Sequence, residues 1–289
     1  MHKCFLKPFL FDKIKSQIGS LGECTCALVE ASLNVSRLVL ETRKSGLETQ
    51  EKKDGTPVSN ADKLAQDIIL EKISTLGEKF SHVGIVSEEL PPLPPAFQYG
   101  DFWLIDPLDG TKGFIIGKKE FCTNIALLKD GKPILGVVAV PAFSSIYFAS
   151  QGKGAWKINA QTSSLKQIHC QKLTRDSLSE KGLRILSSSR HNSRRNLKQH
   201  LQKNRNNPKI AFIHEIGSAV KILKIAEGHA DYYYQPGATM AWDIAAPQII
   251  LEEAGGAIRT LDGQCLSYGK NNWKNTIFEV LGTSEKIFD

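Results

Sequence analysis

Three acidic segments of the 289-residue chain carry the chemistry: Ser87-Glu88-Glu89, Asp106-Pro107-Leu108-Asp109-Gly110-Thr111 and Trp242-Asp243-Ile244-Ala245-Ala246. Each falls where an expected strand ends or an expected helix begins, so side chains from distant stretches can meet at one mouth. Taken singly, Glu88-Glu89 before a proline-rich stretch reads as a solvated pair, and Asp243 as a helix N-cap. The middle segment is harder to dismiss. It places two carboxylates three residues apart directly after the apolar run Phe102 to Ile105, with Pro107 stiffening the turn and Gly110 freeing the backbone. Hard cations such as Mg²⁺ take oxygen ligands and are usually held by a few carboxylates plus substrate phosphate. Asp106, the Leu108 carbonyl and Asp109 supply such ligands from one turn. Gly110-Thr111-Lys112-Gly113 then offers backbone N–H groups and a hydroxyl, and a helical turn starting there would present its positive end to a phosphate dianion.

The elements that must position these groups follow from periodicity. Residues 23 to 50 read as an amphipathic helix, with Leu28, Ala31, Val35, Leu38 and Val39 near a helical repeat. A second helix, Asp62 to Leu76, shares a face among Leu64, Ile68, Ile69 and Ile73. Short apolar runs bounded by turn residues follow at Val83 to Ser87, Phe102 to Ile105, Thr123 to Leu128, Ile134 to Val140 and Ser145 to Ala149, and predict one mostly antiparallel sheet. Lys129-Asp130-Gly131-Lys132 is a hairpin signal, since Asp-Gly favours the positive φ of tight turns. Pro91 to Tyr99, with four prolines, reads as a surface loop. Beyond about residue 180 strands and helices alternate: strand Leu183 to Ser187, a basic helix, strand Ile210 to His214, helix Ser218 to Glu227, strand Ala230 to Tyr234 and helix Asp243 to Ala254. That alternation argues for a layered α/β half.

Composition narrows the class. At 41% hydrophobic and 23% charged the chain is an ordinary globular protein, and no apolar run approaches the ~20 residues of a membrane span. The opening MHKCFLKPFLFDKIK is interrupted by Lys7, Pro8, Asp12 and Lys13 and reads as a peripheral or frayed leader, leaving a peripheral membrane contact open. Six scattered cysteines with no paired CxxC fit a reduced, cytoplasmic protein. The net charge of +7 attracts anions, whether phosphorylated metabolites or nucleic acid. Much of it lies between Arg190 and Lys209 with no interleaved aromatics, which reads as a solvated helix face, so no nucleic-acid partner is expected.

Taken together in order and spacing over roughly residues 50 to 268, the three segments, with Glu253-Ala254-Gly255-Gly256, resemble the signature of the inositol monophosphatase superfamily. Asp54-Gly55-Thr56-Pro57-Val58-Ser59-Asn60-Ala61-Asp62 extends the likeness, and Gly217-Ser218-Ala219-Val220-Lys221 is similar to a segment of its bisphosphate nucleotidases. The resemblance implies a layered αβαβα sugar-phosphatase fold, α+β to α/β in class. An antiparallel-sheet half at 23–178 would be followed by a smaller α/β half at 179–289, with the site between them. It implies two or three Mg²⁺ ions held by Glu88, Asp106, the Leu108 carbonyl, Asp109 and Asp243, and a water-activating pair, Asp62 and Thr111, with Glu88 assisting. The same ligands, with Gly110 and Thr111, would face the substrate phosphate. The chemistry implied is in-line attack of water on a phosphate ester of a small molecule, sensitive to Li⁺.

The resemblance extends substrate contacts to His191, Ser218, Lys221 and Gln235. At the last position inositol-type members carry an acid and nucleotidase-type members often arginine, so Gln235 matches neither. The spacing Gly237 to Asp243 and Lys112-Gly113-Phe114 lean toward a nucleotidase acting on 3′-phosphoadenosine 5′-phosphate. An inositol-1-monophosphatase is the alternative, and a non-catalytic regulatory binding protein the alternative of another class. His191 reads equally as a surface residue, and the oligomeric state stays open.

Overall fold

The structure, a computed structural model, describes residues 7–81, 83–91, 100–188, 193–204, 208–237, 239–269 and 273–285. From Pro8 on, the opening segment is helical rather than frayed, and residues 1–6 lie outside the described residues. Pro8–Ile18 forms helix α1, with Pro8 in the first turn, where a missing N–H costs nothing. Leu10, Ile14 and Ile18, four residues apart, are buried, and α1 packs against helix α2, Gly22–Ser45. Helix α2 stops earlier than its periodicity suggests because Gly46 takes a φ of 118°. The expected tail becomes strand β1, Thr49–Glu51, which pairs antiparallel with β2, Pro57–Ser59. Helix α3, Asn60–Ser74, follows at once, then the single turn α4, Glu78–Ser81.

The first large sheet contains β3 (Gly84–Ser87), β4 (Phe102–Asp109), β5 (Cys122–Lys129), β6 (Lys132–Val140), β7 (Ser145–Ser150), β8 (Ala155–Asn159) and β9 (Ser164–Ile168), in that spatial order. Helix α5, Thr111–Ile115, interrupts the path from β4 to β5. Only β3 and β4 run parallel; the other neighbours are antiparallel. The Asp-Gly hairpin forms between β5 and β6, with Asp130 and Gly131 both at positive φ (51° and 73°). Of the proline-rich loop, Pro92 to Tyr99 lies outside the described residues.

The C-terminal part contains α6 (Arg175–Lys181), β10 (Leu183–Ser187), α7 (Ser193–Asn204), β11 (Ile210–Glu215), α8 (Val220–Ala226), β12 (Tyr232–Gln235), α9 (Ala241–Glu253), β13 (Ala257–Thr260) and β14 (Phe278–Leu281). Its sheet order is β11-β10-β12-β14-β13, with the first three strands parallel and β14 antiparallel to both neighbours. Helix α8 begins later than the apolar pattern suggests, since Ser218 sits at φ 50° and cannot be its first turn. Helix α9 begins earlier, which makes Asp243 its third residue rather than its N-cap.

Alternation along the strands builds the layers. Trp103, Ile105, Ile125, Leu127, Val137 and Phe148 face α1, α2 and α3 in one core. Their neighbours Phe102, Leu104, Ala126, Leu128, Val138 and Tyr147 face α8 and α9, which pack on Tyr233, Ile258, Phe278 and Val280 of the second sheet. Leu183, Ile185 and Tyr232 on that sheet's far side meet Leu197 and Leu201 of α7. The order is α, β, α, β, α. Helix α9 approaches the first sheet so closely that a Cβ at Gly136 would lie 2.6 Å from the Ala246 carbonyl oxygen. Among the described residues no helix is long and apolar enough to cross a membrane.

Candidate active site

Parallel pairing of β3 and β4 sets Ser87 beside Ile105. The next step along each strand brings Glu88 level with Asp106, and the Glu88 N–H still donates to the Ile105 carbonyl at 3.1 Å. Residues three apart on a regular strand point to opposite faces, which would separate Asp106 from Asp109. A bulge prevents this: Asp106 pairs with Asn124 and Asp109 with Cys122, so three steps on β4 match two on β5. The extra residue lets both carboxylates line one cavity, and the bulge tolerates Pro107, which has no N–H to give. Asp243 arrives from the first turn of α9 and accepts the Met240 N–H at 2.9 Å. Carboxylate oxygens of Glu88, Asp106 and Asp243 lie within 4.8 Å of one another.

Asp62 and Thr111 meet at the same place from α3 and α5. Thr111 Oγ1 lies 2.9 Å from both Asp62 Oδ1 and the Leu108 carbonyl oxygen. The other Asp62 oxygen accepts the Ser59 N–H at 2.8 Å and the Ser59 hydroxyl at 2.6 Å. Asp62 is thus both a helix cap and a buried, oriented acceptor. Gly110, at φ 91°, makes the turn from β4 into α5, and a Cβ there would press on the Glu120 carbonyl oxygen at 3.1 Å.

Asp106 is 1% exposed. Burial, then Glu88, Asp109, Asp243 and Asp62 around it, push its carboxyl well above the usual range. It accepts the Leu108 N–H at 3.0 Å, a small offset to that repulsion. The donors are oxygen only and carry excess negative charge, the set a divalent cation such as Mg²⁺ suits. Lys52, a residue the sequence reading passed over, supplies a counter-charge: its ammonium lies 2.9 Å from Glu88 and 2.7 Å from Glu89. Hydrogen bonds to Glu89 and Glu88, against the pull of burial, raise its pKa. Glu89 is not solvated, because it sits half-buried beneath this lysine.

The cavity, about 1130 Å³, is lined by Glu88, Asp106, Leu108, Asp109, Gly110, Thr111, Ser218, Lys221, Gln235 and Asp243. Asp109 accepts the Ala219 N–H, tying β4 to the loop before α8. Lys221 is buried, its ammonium bonded to the Ser218 carbonyl and 4.9 Å from the centre of the Tyr233 ring. The Gln235 amide accepts from the Tyr233 hydroxyl and donates to the Gly237 carbonyl at 2.9 Å. His191 lies outside the described residues. Trp242, the first residue of its segment, joins Met240 and Trp273 in an apolar wall, and nothing local distinguishes the latter two from core residues.

The model of the inositol monophosphatase family matches residues 20–282. The 3′(2′),5′-bisphosphate nucleotidase CysQ of Salmonella typhimurium is 37% identical over 223 residues, 77% of this chain and 83% of that protein. CysQ of Escherichia coli is 37% identical over 218 residues, 75% of this chain and 81% of that one. The crystal structure of CysQ from Bacteroides thetaiotaomicron superposes with a TM-score of 0.72 at 26% identity, covering 90% of this chain and 97% of that one.

Proposed function

The chain belongs to the inositol monophosphatase family, and from that premise we propose that it is a magnesium-dependent 3′(2′),5′-bisphosphate nucleotidase. Its proposed reaction removes the 3′-phosphate of 3′-phosphoadenosine 5′-phosphate, leaving AMP. The observation that carries the reading is the meeting of Glu88, Asp106 and Asp243 within 4.8 Å, in a cavity that Thr111 also lines. Glu88, Asp106, the Leu108 carbonyl, Asp109 and Asp243 would hold two or three Mg²⁺ ions. When bound, such ions supply Lewis acidity and neutralise charge developing on the phosphate and the leaving oxygen. Thr111, donating its proton to Asp62, offers its lone pairs to an attacking water, whose proton then passes through the threonine to the carboxylate. The amides of Gly110 and Thr111 orient the phosphate.

Gln235 distinguishes the substrate. A carboxylate there would repel a second phosphate by about 4 kcal/mol at 4 Å and an effective dielectric of 20, and the neutral amide removes that term. Cys24, Cys26, Cys122, Cys170 and Cys265 are free thiols, which supports a reducing, cytoplasmic setting. An intact oxygen-donor set speaks against a purely regulatory binding protein. The test is phosphate release from 3′-phosphoadenosine 5′-phosphate, inositol 1-phosphate and fructose 1,6-bisphosphate with Mg²⁺. The first should show the highest kcat/KM; a preference for inositol 1-phosphate, or no Mg²⁺-dependent release, overturns the reading.

A further inference from the structure

The segment after Thr111 is built more firmly than a catalytic threonine requires. Helix α5 ends at Ile115, and the chain doubles back through Gly117 at φ 83°, with the Gly117 N–H donating to the Phe114 carbonyl at 3.1 Å and the Lys118 N–H to the Gly113 carbonyl at 2.9 Å. Arg43 of α2 clamps this turn from behind. Its guanidinium lies 5.1 Å from the centres of both the Phe114 and Phe121 rings, and Nη1 donates to the Lys118 carbonyl at 2.9 Å. The backbone is therefore held while Lys112, Ile116 and Lys118 line the cavity mouth. Ile116 is 67% exposed, the most exposed large hydrophobic residue described. The Lys118 stem crosses bare Gly113, where a Cβ would stand 3.6 Å from Lys118 Cδ. Among the described residues neither Lys112 nor Lys118 has an ion-pair partner.

An exposed alkyl group between two uncommitted ammonium groups is wasted on water but suits a ring system that carries a second anion. The carboxylates lie deeper in the same cavity, and Thr111 to Ile116 spans roughly 7.5 Å along a helical path, room for a sugar between the two ends. We propose that Lys112, Ile116 and Lys118 form a specificity rim for the part of the substrate that is not hydrolysed. Ile116 packs against the nucleobase, and the two lysines attract the remaining phosphate. This rests on the nucleotidase reading and adds to it substrate contacts at Lys112, Ile116 and Lys118 that the sequence pattern did not assign.

The test compares Lys118→Ala and Ile116→Ser with wild type on 3′-phosphoadenosine 5′-phosphate, adenosine 3′-monophosphate and inositol 1-phosphate, with Lys119→Ala, beside the rim but not on the cavity, as control. Lys118→Ala should raise KM for the bisphosphate about tenfold relative to the 3′-monophosphate, as loss of a charged hydrogen bond does. Ile116→Ser should raise KM for both adenosine substrates relative to inositol 1-phosphate. In each case kcat should move far less than KM. Calorimetric binding of AMP, which involves no turnover, should weaken in both variants and hold in the control. If wild type prefers the bisphosphate but these ratios stay fixed, or all substrates shift by one factor, the rim is refuted and the nucleotidase reading survives. If wild type itself prefers inositol 1-phosphate, both fall together.

Discussion

Asp106→Asn should make the metal-free protein more stable while destroying its activity. Glu88, Asp106 and Asp243 offer oxygens within 4.8 Å of one another, and two full charges at that separation repel by about 3.5 kcal/mol at an effective dielectric of 20. Proton uptake and the Lys52 ammonium on Glu88 absorb part of this, so the variant should gain about 1–3 kcal/mol in chelator, several degrees in Tm. Because burial and the neighbouring acids raise the Asp106 pKa in the folded state, wild type keeps this part of its stability at low pH and loses it as pH rises through that value. The gap between variant and wild type should therefore widen with rising pH. Excess Mg²⁺ should reverse the order. Wild type gains about 4.1 kcal/mol at about a thousand times Kd, whereas the variant, short of one ligand charge, gains little. Activity should fall on the order of 10²-fold or more, at least the loss typical of residues that only support a metal ligand. Scanning fluorimetry in chelator and in Mg²⁺ across pH reads all of this except turnover. A variant that is less stable than wild type in chelator, and gains equally from Mg²⁺, would refute both the repulsion and the cation site.

Thr111→Val should lower kcat by about 10²–10³ with little change in KM, whereas Thr111→Ser, which keeps the hydroxyl, should stay within about tenfold of wild type; steady-state kinetics decide. Glu227, buried under Lys157 at 2.6 Å, Lys224 at 3.3 Å and the Tyr147 hydroxyl at 3.0 Å, has a lowered pKa because these contacts outweigh its burial. Its contribution is present above the unfolded carboxyl pKa and is lost as pH falls through the folded one. Glu227→Gln should thus cost about 3 kcal/mol in urea unfolding at about pH 7, and the cost should shrink steadily as pH falls below the usual carboxyl range. Li⁺ should inhibit phosphate release at concentrations far below those at which Na⁺ acts, and equal insensitivity to both ions would count against the proposed cation site.

Much of the architecture is legible because it is local. The unbroken apolar run Phe102 to Ile105 becomes a strand buried on both faces, and the Asp130-Gly131 hairpin forms where it is expected. What sequence reading missed has little local signal. Strands β8 and β9 are short, and β9 is largely exposed, so neither shows a clean alternation. Strand β14 is defined by its neighbours, inserting antiparallel between β12 and β13. Helix α1 looked peripheral because charges interrupt its apolar residues, yet a four-residue spacing puts Leu10, Ile14 and Ile18 on one buried face.

The sequence by itself determined which donors exist: carboxylates, a threonine hydroxyl and turn amides, a set that suits a hard cation and a phosphate and little else. Only the tertiary structure decided that they meet. Glu88 stands beside Asp106 because β3 and β4 are parallel, Asp106 shares a side with Asp109 because β4 carries a bulge, and Asp243 reaches them because Gly136 lets α9 lie against the sheet. The role of Lys52, an unremarkable lysine in a charged turn, is set in the same way by its contact with Glu88 and Glu89. Residue type is a property of one position, whereas convergence depends on pairing register and packing between segments far apart in the chain, which no local pattern encodes.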